Sequence, residues 1–454
     1  MYALVIPFAV LIAIVVFKKI PYIGGKTPYA LLIAAVLVVA LSGHIAPSYW
    51  GGAIVEGLTR MGWVICLCIF VNFYSQTQMR LGTIDAVVRM LRSLFGGSQK
   101  ALLLTTMLAL IFSGAFTGST MACTTIVGML VARSLYDCGL SAEKTTATVV
   151  IGAMLGSLMP PISSSFFGSS AISGVDVGVV LNEGYKVIGI SVLVAILYVV
   201  FILGGKQREG FAFDNKREKI GDIWRECRVR MIPMFLLIMI IILKQCFDIN
   251  VMAMTVGKLI SPLNNVPVVK SIISNYLVLA FLVVGFVGFI YPEVHKDAKG
   301  VFKGAYKTST YIVPVMFAAA CLVGAVVTTG GLDMVSEAAS KLNPHVLIIG
   351  GAVAMCAMGM ITGGDSSALN TIFPFFFPAV TAIGVPALNA TMAGSLITVA
   401  GQAFPPCDTL VFMACGVLSG VLGVKKIDPM KVMILDLPIG IFLTAFGMFY
   451  LYVY

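Results

Sequence analysis

SGAFTGST at Ser113–Thr120 and GSLMPPISSS at Gly156–Ser165 decide the fold, because the chain uses the same plan twice. MITGGDSS at Met360–Ser367 and GQAFPPCD at Gly401–Asp408 stand at a constant offset of 245 residues, with no gap. Thr117 and Gly118 map onto Thr362 and Gly363, Gly139 onto Gly384, and Gly156 onto Gly401. Pro160 and Pro161 map onto Pro405 and Pro406, and Gly178 onto Gly423. An apolar chain rich in Gly and Pro gives chance identities, but one ungapped offset through all the Gly and Pro punctuation marks an internal repeat.

Outside these stretches the chain is built for lipid. Of its 454 residues 59% are hydrophobic and only 11% charged, and the mean hydropathy is +1.01. A soluble domain carries about 25% charged residues. The chain is therefore a polytopic membrane protein. Its net charge of +10 fits Lys and Arg concentrated in cytoplasmic loops, not a nucleic-acid partner. The 10 cysteines form no CxxC pair and read as small packing residues. The first apolar run has no basic leader segment and reads as a retained helix.

Met1–Phe17 and Pro28–Ile45 are the first two spans, against about 30 Å of hydrocarbon. Arg60–Tyr74 is a third. It runs into an interfacial amphipathic helix at Gln76–Leu94, with Arg80, Asp85, Arg89 and Arg92 at helical spacing. Ala101–Phe112 and Met121–Ala132 are half-length legs around the polar tip, which together make a re-entrant hairpin. Such backbone is tolerated at depth only where protein or a wet cavity satisfies it. Thr145–Val180 would be about 54 Å long as one helix. Pro160-Pro161 breaks it, since proline lacks the N–H and clashes with the preceding turn. Val187–Leu203, Met231–Leu243, Ser271–Tyr291 and Tyr311–Thr328 are further crossings, and Pro292–Lys307 is a basic loop. Gly330–Leu342 reads as a second interfacial helix. A second hairpin, a second broken span at Pro386–Leu422 and a last helix from Met430 follow.

The domain limits are 1–58 for the N-terminal spans and 59–205 for repeat one, with its hairpin at 100–134 and broken helix at 145–180. A basic loop and connecting helices take up 206–309. Repeat two occupies 310–454, with its hairpin at 344–382 and broken helix at 386–422. Stretches 18–27, 80–100, 133–144, 206–230, 292–308 and 424–431 hold 24 of the 30 Lys and Arg. That asymmetry puts them in the cytoplasm and both termini outside. Five crossings separate the hairpins, so the repeats are inverted, as in secondary transporters with a site at the repeat interface.

SGAFTGSTMACTTIVGMLV with GAMLGSLMPPISSSFFGSSAISGVDVG resembles the large permease subunit of TRAP transporters, in the ion-transporter superfamily. MGMITGGDSS, PFFFPAVTAIGVP and QAFPPCDTLVFMACG resemble the second hairpin and broken helix of that family. The likeness extends more weakly over nearly the whole chain. Phe247–Lys270 departs from it, lacking the family's Thr-Pro-Thr-Glu-like element. The resemblance implies transport of dicarboxylates or related carboxylates in the inner membrane, with a small permease subunit and an extracytoplasmic binding protein as partners.

The residues themselves point to an ion and anion site. Gly114, Gly118, Gly363 and Gly364 permit turns at the tips. Ser119, Thr120, Thr124, Ser163, Ser164 and Ser165 supply neutral oxygens, although a single Ser or Thr can simply bond back to its own helix. Unwound carbonyls and half-helix ends suit a small cation and a carboxylate. In the 245 register Asp365 opposes Thr120 and Asp408 opposes Ser163, so repeat two carries acids where repeat one carries hydroxyls. An acid at membrane depth is costly and points to function; the alternative is an interfacial acid or a helix cap.

Candidate substrate contacts are Ser119, Thr120, Thr124, Ser163, Ser164 and Thr409. Candidate Na⁺ contacts are Gly118, Ser119, Pro160, Thr362, Gly363, Asp365, Pro405 and Asp408. Asp176 and the three histidines are assigned no role. No Lys or Arg lies in a tip or a Pro-Pro loop, so a bound anion needs helix dipoles and a co-bound cation. The expected function is cation-coupled import of a small organic acid by alternating access. A stand-alone exchanger or H⁺-linked antiporter is the alternative, and a channel fits less well. No nucleophile–base set suggests an enzyme.

Overall fold

The computed structural model describes residues 2–17, 19–43, 46–95, 98–205, 219–247, 249–258, 260, 262, 265–331, 334, 337, 341–362, 365–405 and 409–453. Among them all regular structure is helical. By length and composition four helices can cross a membrane, or five with one bent pair counted as a span.

Tyr2–Val16 and Thr27–Leu41 are apolar all round, as helices enclosed by lipid and protein must be. The third span starts at Pro47, not at Arg60, and runs 35 residues to Leu81. Gly51, Gly52 and Gly57 dilute its hydropathy, which hides its first turns in the sequence. A Cβ on Gly57 would overlap the Ala320 carbonyl, and one on Gly324 the Ala53 carbonyl. These glycines therefore let the helix lie against Ala298–Thr328, the way small residues join helices in lipid. The amphipathic helix is confined to Thr83–Phe95. Arg89 pairs with Glu226 at 2.9 Å, which ties it to the short helix Ile220–Cys227.

Hairpin one consists of Gln99–Thr117 and a continuous helical leg over 120–137, with a π turn at Thr124–Gly128. Hairpin two consists of Pro344–Thr362 and Asp365–Ala382. All four limits coincide in the 245 register, and so do the caps. Ser98 Oγ accepts from Ala101 N at 3.1 Å, and its counterpart Asn343 Oδ1 accepts from His345 N at 2.9 Å. The first leg has 19 residues, not about 12. Polar Ser113 and Thr117 continue the helix because they are buried against neighbouring helices. Only Gly118 and Ser119 interrupt hairpin one.

The first broken span is Ala142–Leu158 and Ser164–Ser173; the second is Ala387–Gln402 and Thr409–Leu422. The Pro160–Pro161 peptide is cis. The first broken span stops at Ser173, short of Val180. Gly174 takes φ 74°, and Asp176 Oδ1 caps a new helix by accepting from Gly178 N and Val179 N at 2.9 and 3.2 Å. The following crossing is accordingly Val177–Leu203, ten residues longer than the hydropathy of its core suggests.

Ile232–Phe247 precedes a span that is not straight. Pro267–Ser274 and Tyr276–Ile290 meet at 68° over Asn275, whose Oδ1 accepts from Leu277 N. The expected basic loop at Pro292–Lys307 is helical instead, as Pro292–His295 and the start of Ala298–Thr328. Its lysines follow helical spacing, a pattern that charge content alone conceals. Most of the second interfacial helix lies outside the described residues. Pro429–Tyr452 closes the fold.

The repeats interlock. Ser164–Ser173 packs on Ala387–Gln402, and Thr409–Leu422 packs on Ala142–Leu158. Contacts that exchange partners in this way characterise a two-fold relation. The hydroxyls of Ser169 and Ser395 lie 2.7 Å apart, both fully buried, at one of these crossings.

Candidate functional site

Each hairpin is held to its broken span through bare backbone. A Cβ on Gly114 would overlap the main chain of Gly156, and one on Gly359 would lie 2.7 Å from the Gly401 Cα. These two pairs occupy the same register positions in the two repeats. The crossing brings tip one onto break one. Gly118 takes the left-handed conformation at φ 59°, and its N–H donates to the Gly114 carbonyl at 2.8 Å. A Cβ there would come within 2.6 Å of Ile162 Cγ2. The break is deep, since ten residues of helix separate it from the end of its span, about 15 Å.

Between tip and break lies a cavity of about 10 Å³, lined by Thr117, Gly118, Ile162, Ser164 and Phe167, and closed by Cys68, Val71 and Asn72 of the long helix Pro47–Leu81. That is the room needed by about one water, and so by one bare small cation. The walls offer a threonine, a serine and an asparagine, the neutral hard oxygens that suit such an ion. Among the described residues no three His, Cys, Asp or Glu come together, so these walls do not form a transition-metal chelate.

The structure sorts the repeat-one candidates. Gly118 and Ser164 line the cavity. Ser119 Oγ caps the second leg, accepting from Ala122 N at 3.3 Å. Ser163 Oγ does the same for Ser164–Ser173, accepting from Phe166 N at 3.5 Å. Thr120 is half-buried at the start of its leg. Thr124 is fully buried where the π turn begins, and neither its hydroxyl nor that of Ser165 has a hydrogen-bond partner among the described residues. Pro160 packs toward Gly184 of the next helix.

In repeat two, Thr362 ends one leg, Asp365 starts the other and Thr409 starts the distal half-helix. The positions of their side chains lie outside what is described. Pro405 sits half-buried in the turn after Gln402. Gly363 and Asp408 lie outside the described residues.

Two further groups stand out that sequence reasoning passed over. Asn72 is buried on the cavity wall, and its Nδ2 donates to Ser309 Oγ at 3.1 Å. A lone amide inside ICLCIFVNFY was the available signal. Asp436 has no exposed surface although it lies in the last apolar helix. Gly440, one turn on, approaches Ala403 and Phe404 at the start of break two. An acid among apolar residues was the signal there.

The profile of the family described as "Tripartite ATP-independent periplasmic transporter, DctM component" matches residues 11–452. The chain belongs to this family. No curated protein matches it by sequence. Among solved structures it is similar to the YdaH transporter of Alcanivorax borkumensis, whose crystal structure is described as having an unusual topology. The TM-score is 0.58 with 15% identity, covering 88% of this chain and 85% of that one. At that identity the likeness concerns the fold. DctM components belong to transporters built from three parts, so a multi-pass membrane transport protein, not an enzyme, is the class the family establishes.

Proposed function

We propose that this DctM component is a cation-coupled importer of a small organic acid, a dicarboxylate or related carboxylate, with Na⁺ as the coupling ion. The carrying observation is the tip-one cavity, an ion-sized space at depth walled by neutral oxygens and bounded by the broken backbone. The shared glycine crossings support a second half-site in repeat two, where Asp365 and Asp408 bring negative charge. Alternating access follows from two interlocked, inverted half-sites. The same reading places the chain in the inner membrane with both termini outside, working with a small permease subunit and an extracytoplasmic binding protein.

The test is uptake into proteoliposomes under a Na⁺ gradient alone and a pH gradient alone, wild type beside Asp365→Asn. Na⁺-driven uptake that weakens in the variant is expected. Uptake driven only by the pH gradient and indifferent to Na⁺ would overturn the Na⁺ assignment. A second reading, H⁺ coupling, draws on Asp436, a carboxyl enclosed at membrane depth beside break two. In that case Asp436→Asn abolishes uptake driven by the pH gradient.

A further inference from the structure

A second cavity lies apart from the tip site. It encloses about 760 Å³ between Pro47–Leu81, the end of the first broken span, the start of Val177–Leu203 and the bend at Asn275. That volume suits a small organic molecule. On the topology set by the basic loops, this is the external side. Pro47–Leu81 and Ser164–Ser173, which pack on each other, contribute to the walls of both cavities. Thr59, Arg60 and Trp63 face the large cavity, and Cys68, Val71 and Asn72 the small one. On the other helix Ser170, Ala171 and Gly174 face the large cavity, and Ser164 and Phe167 the small one. Trp63 and Phe167 meet edge-on between them, with ring centroids 6.5 Å apart.

The large cavity presents donors. Arg60 and Lys244 both line it. Arg60 gives its Nε–H to Glu56 at 2.7 Å, while the guanidinium carries four more N–H donors on its terminal nitrogens. Asn250 and Asn275 commit their Oδ1 atoms to Ala253 N and Leu277 N at 3.0 Å each, so the rest of each amide is an NH₂ donor. Asp176, the one acid among the described residues of the wall, turns Oδ1 to the N–H groups of its own helix. Neither tip nor Pro-Pro loop holds a cation, so an anion crossing the membrane meets its fixed positive charge here or not at all on this path.

We propose that this cavity is a carboxylate vestibule, in which Arg60, Lys244, Asn250 and Asn275 hold a small organic anion above a floor made by Trp63 and Phe167. This deepens the proposed import of an organic acid and rests on it for the direction of travel. The anion waits outside the aromatic floor, and the pair must part before it reaches the tip.

Trp63 is the built-in reporter. The chain has 3 Trp, so Trp50→Phe with Trp224→Phe in the full-length protein in nanodiscs leaves it alone. Iodide, an anionic quencher, should quench Trp63 strongly. Arg60→Gln with Lys244→Gln should lower the iodide quenching constant by about threefold, since a charged cleft concentrates its counter-ion, and leave quenching by neutral acrylamide unchanged. Without any change to the cations, sodium acetate should protect Trp63 from iodide more than sodium chloride at equal ionic strength. Iodide and acrylamide constants that change together, or an unchanged iodide constant, overturn the vestibule. Acetate no better than chloride overturns its carboxylate character. Fluorescence needs no gradient, so these outcomes stand apart from Na⁺-driven uptake: uptake can fail while the vestibule passes, and the reverse.

Discussion

Repeat one and repeat two agree to the residue over both hairpins and at the helix starts of the broken spans, and then part. Both hairpins and both proximal helices of the broken spans begin in register, but the distal half-helix is Ser164–Ser173 in one and Thr409–Leu422 in the other. The agreement lies where main chain touches main chain, at Gly114 with Gly156 and Gly359 with Gly401. A contact without side chains cannot be repacked, so its register is preserved. The disagreement lies where the half-helix ends meet different surroundings. Ser170 and Gly174 face the polar vestibule, while Thr409–Leu422 leads into Lys425 and Lys426. The chemistry follows the same division, with hydroxyls at the repeat-one positions and acids at the repeat-two positions.

The comparison breaks most readily at the crossings. Gly114→Ala and Gly359→Ala should each destabilise the protein by about 1–3 kcal/mol through overpacking, while Gly416→Ala, with nothing within 4 Å of its added methyl, should be near neutral. Thermal unfolding in detergent measures all three, and one tolerant crossing would mean that the repeats do not share it. Next comes the tip. Gly118→Ala forces a side chain into the left-handed region, about 1–2 kcal/mol, and presses on Ile162. Uptake per folded transporter should drop, and adding Ile162→Ala should restore only the part due to contact. Full restoration would show that the backbone conformation costs nothing.

The acid–hydroxyl difference is sharpened by Asp365→Asn beside Thr120→Val. The first should raise the Na⁺ concentration for half-maximal uptake by about tenfold, equal to ~1.4 kcal/mol, and the second by less. Equal shifts would remove the distinction between the half-sites. The smallest effect is expected at the matched caps. Ser98→Ala and Asn343→Ala should each lower stability by about 0.5–2 kcal/mol, read from the same melts.

Much of this was legible in the sequence because glycine and proline act locally. The offset of 245 residues located both hairpins and both breaks, and TRAP-like motifs pointed to the family that the profile match establishes. What stayed hidden depends on partners far away in the chain. The first turns of Pro47–Leu81 look too weakly apolar until Ala298–Thr328 is laid against Gly57. The helix through Lys299 and Lys303 reads as a loop by charge. Asn72 becomes a wall of the tip cavity only when Gly118 and Ile162 arrive beside it. The bend at Asn275 is an asparagine cap inside an apolar run, which hydropathy averages away.

The glycine crossings also bear on how such a transporter can diversify. At Gly114, Gly156, Gly359 and Gly401 every single-residue replacement adds atoms where there is no room, so these sites offer natural variation nothing to work with. New cargo preferences must therefore be written elsewhere, in side chains that border the cavities without holding the frame. Val179 and Asn182, exposed on the wall of the large cavity, are such places. A library confined to those two positions should change which anion is carried and leave the melting temperature almost untouched.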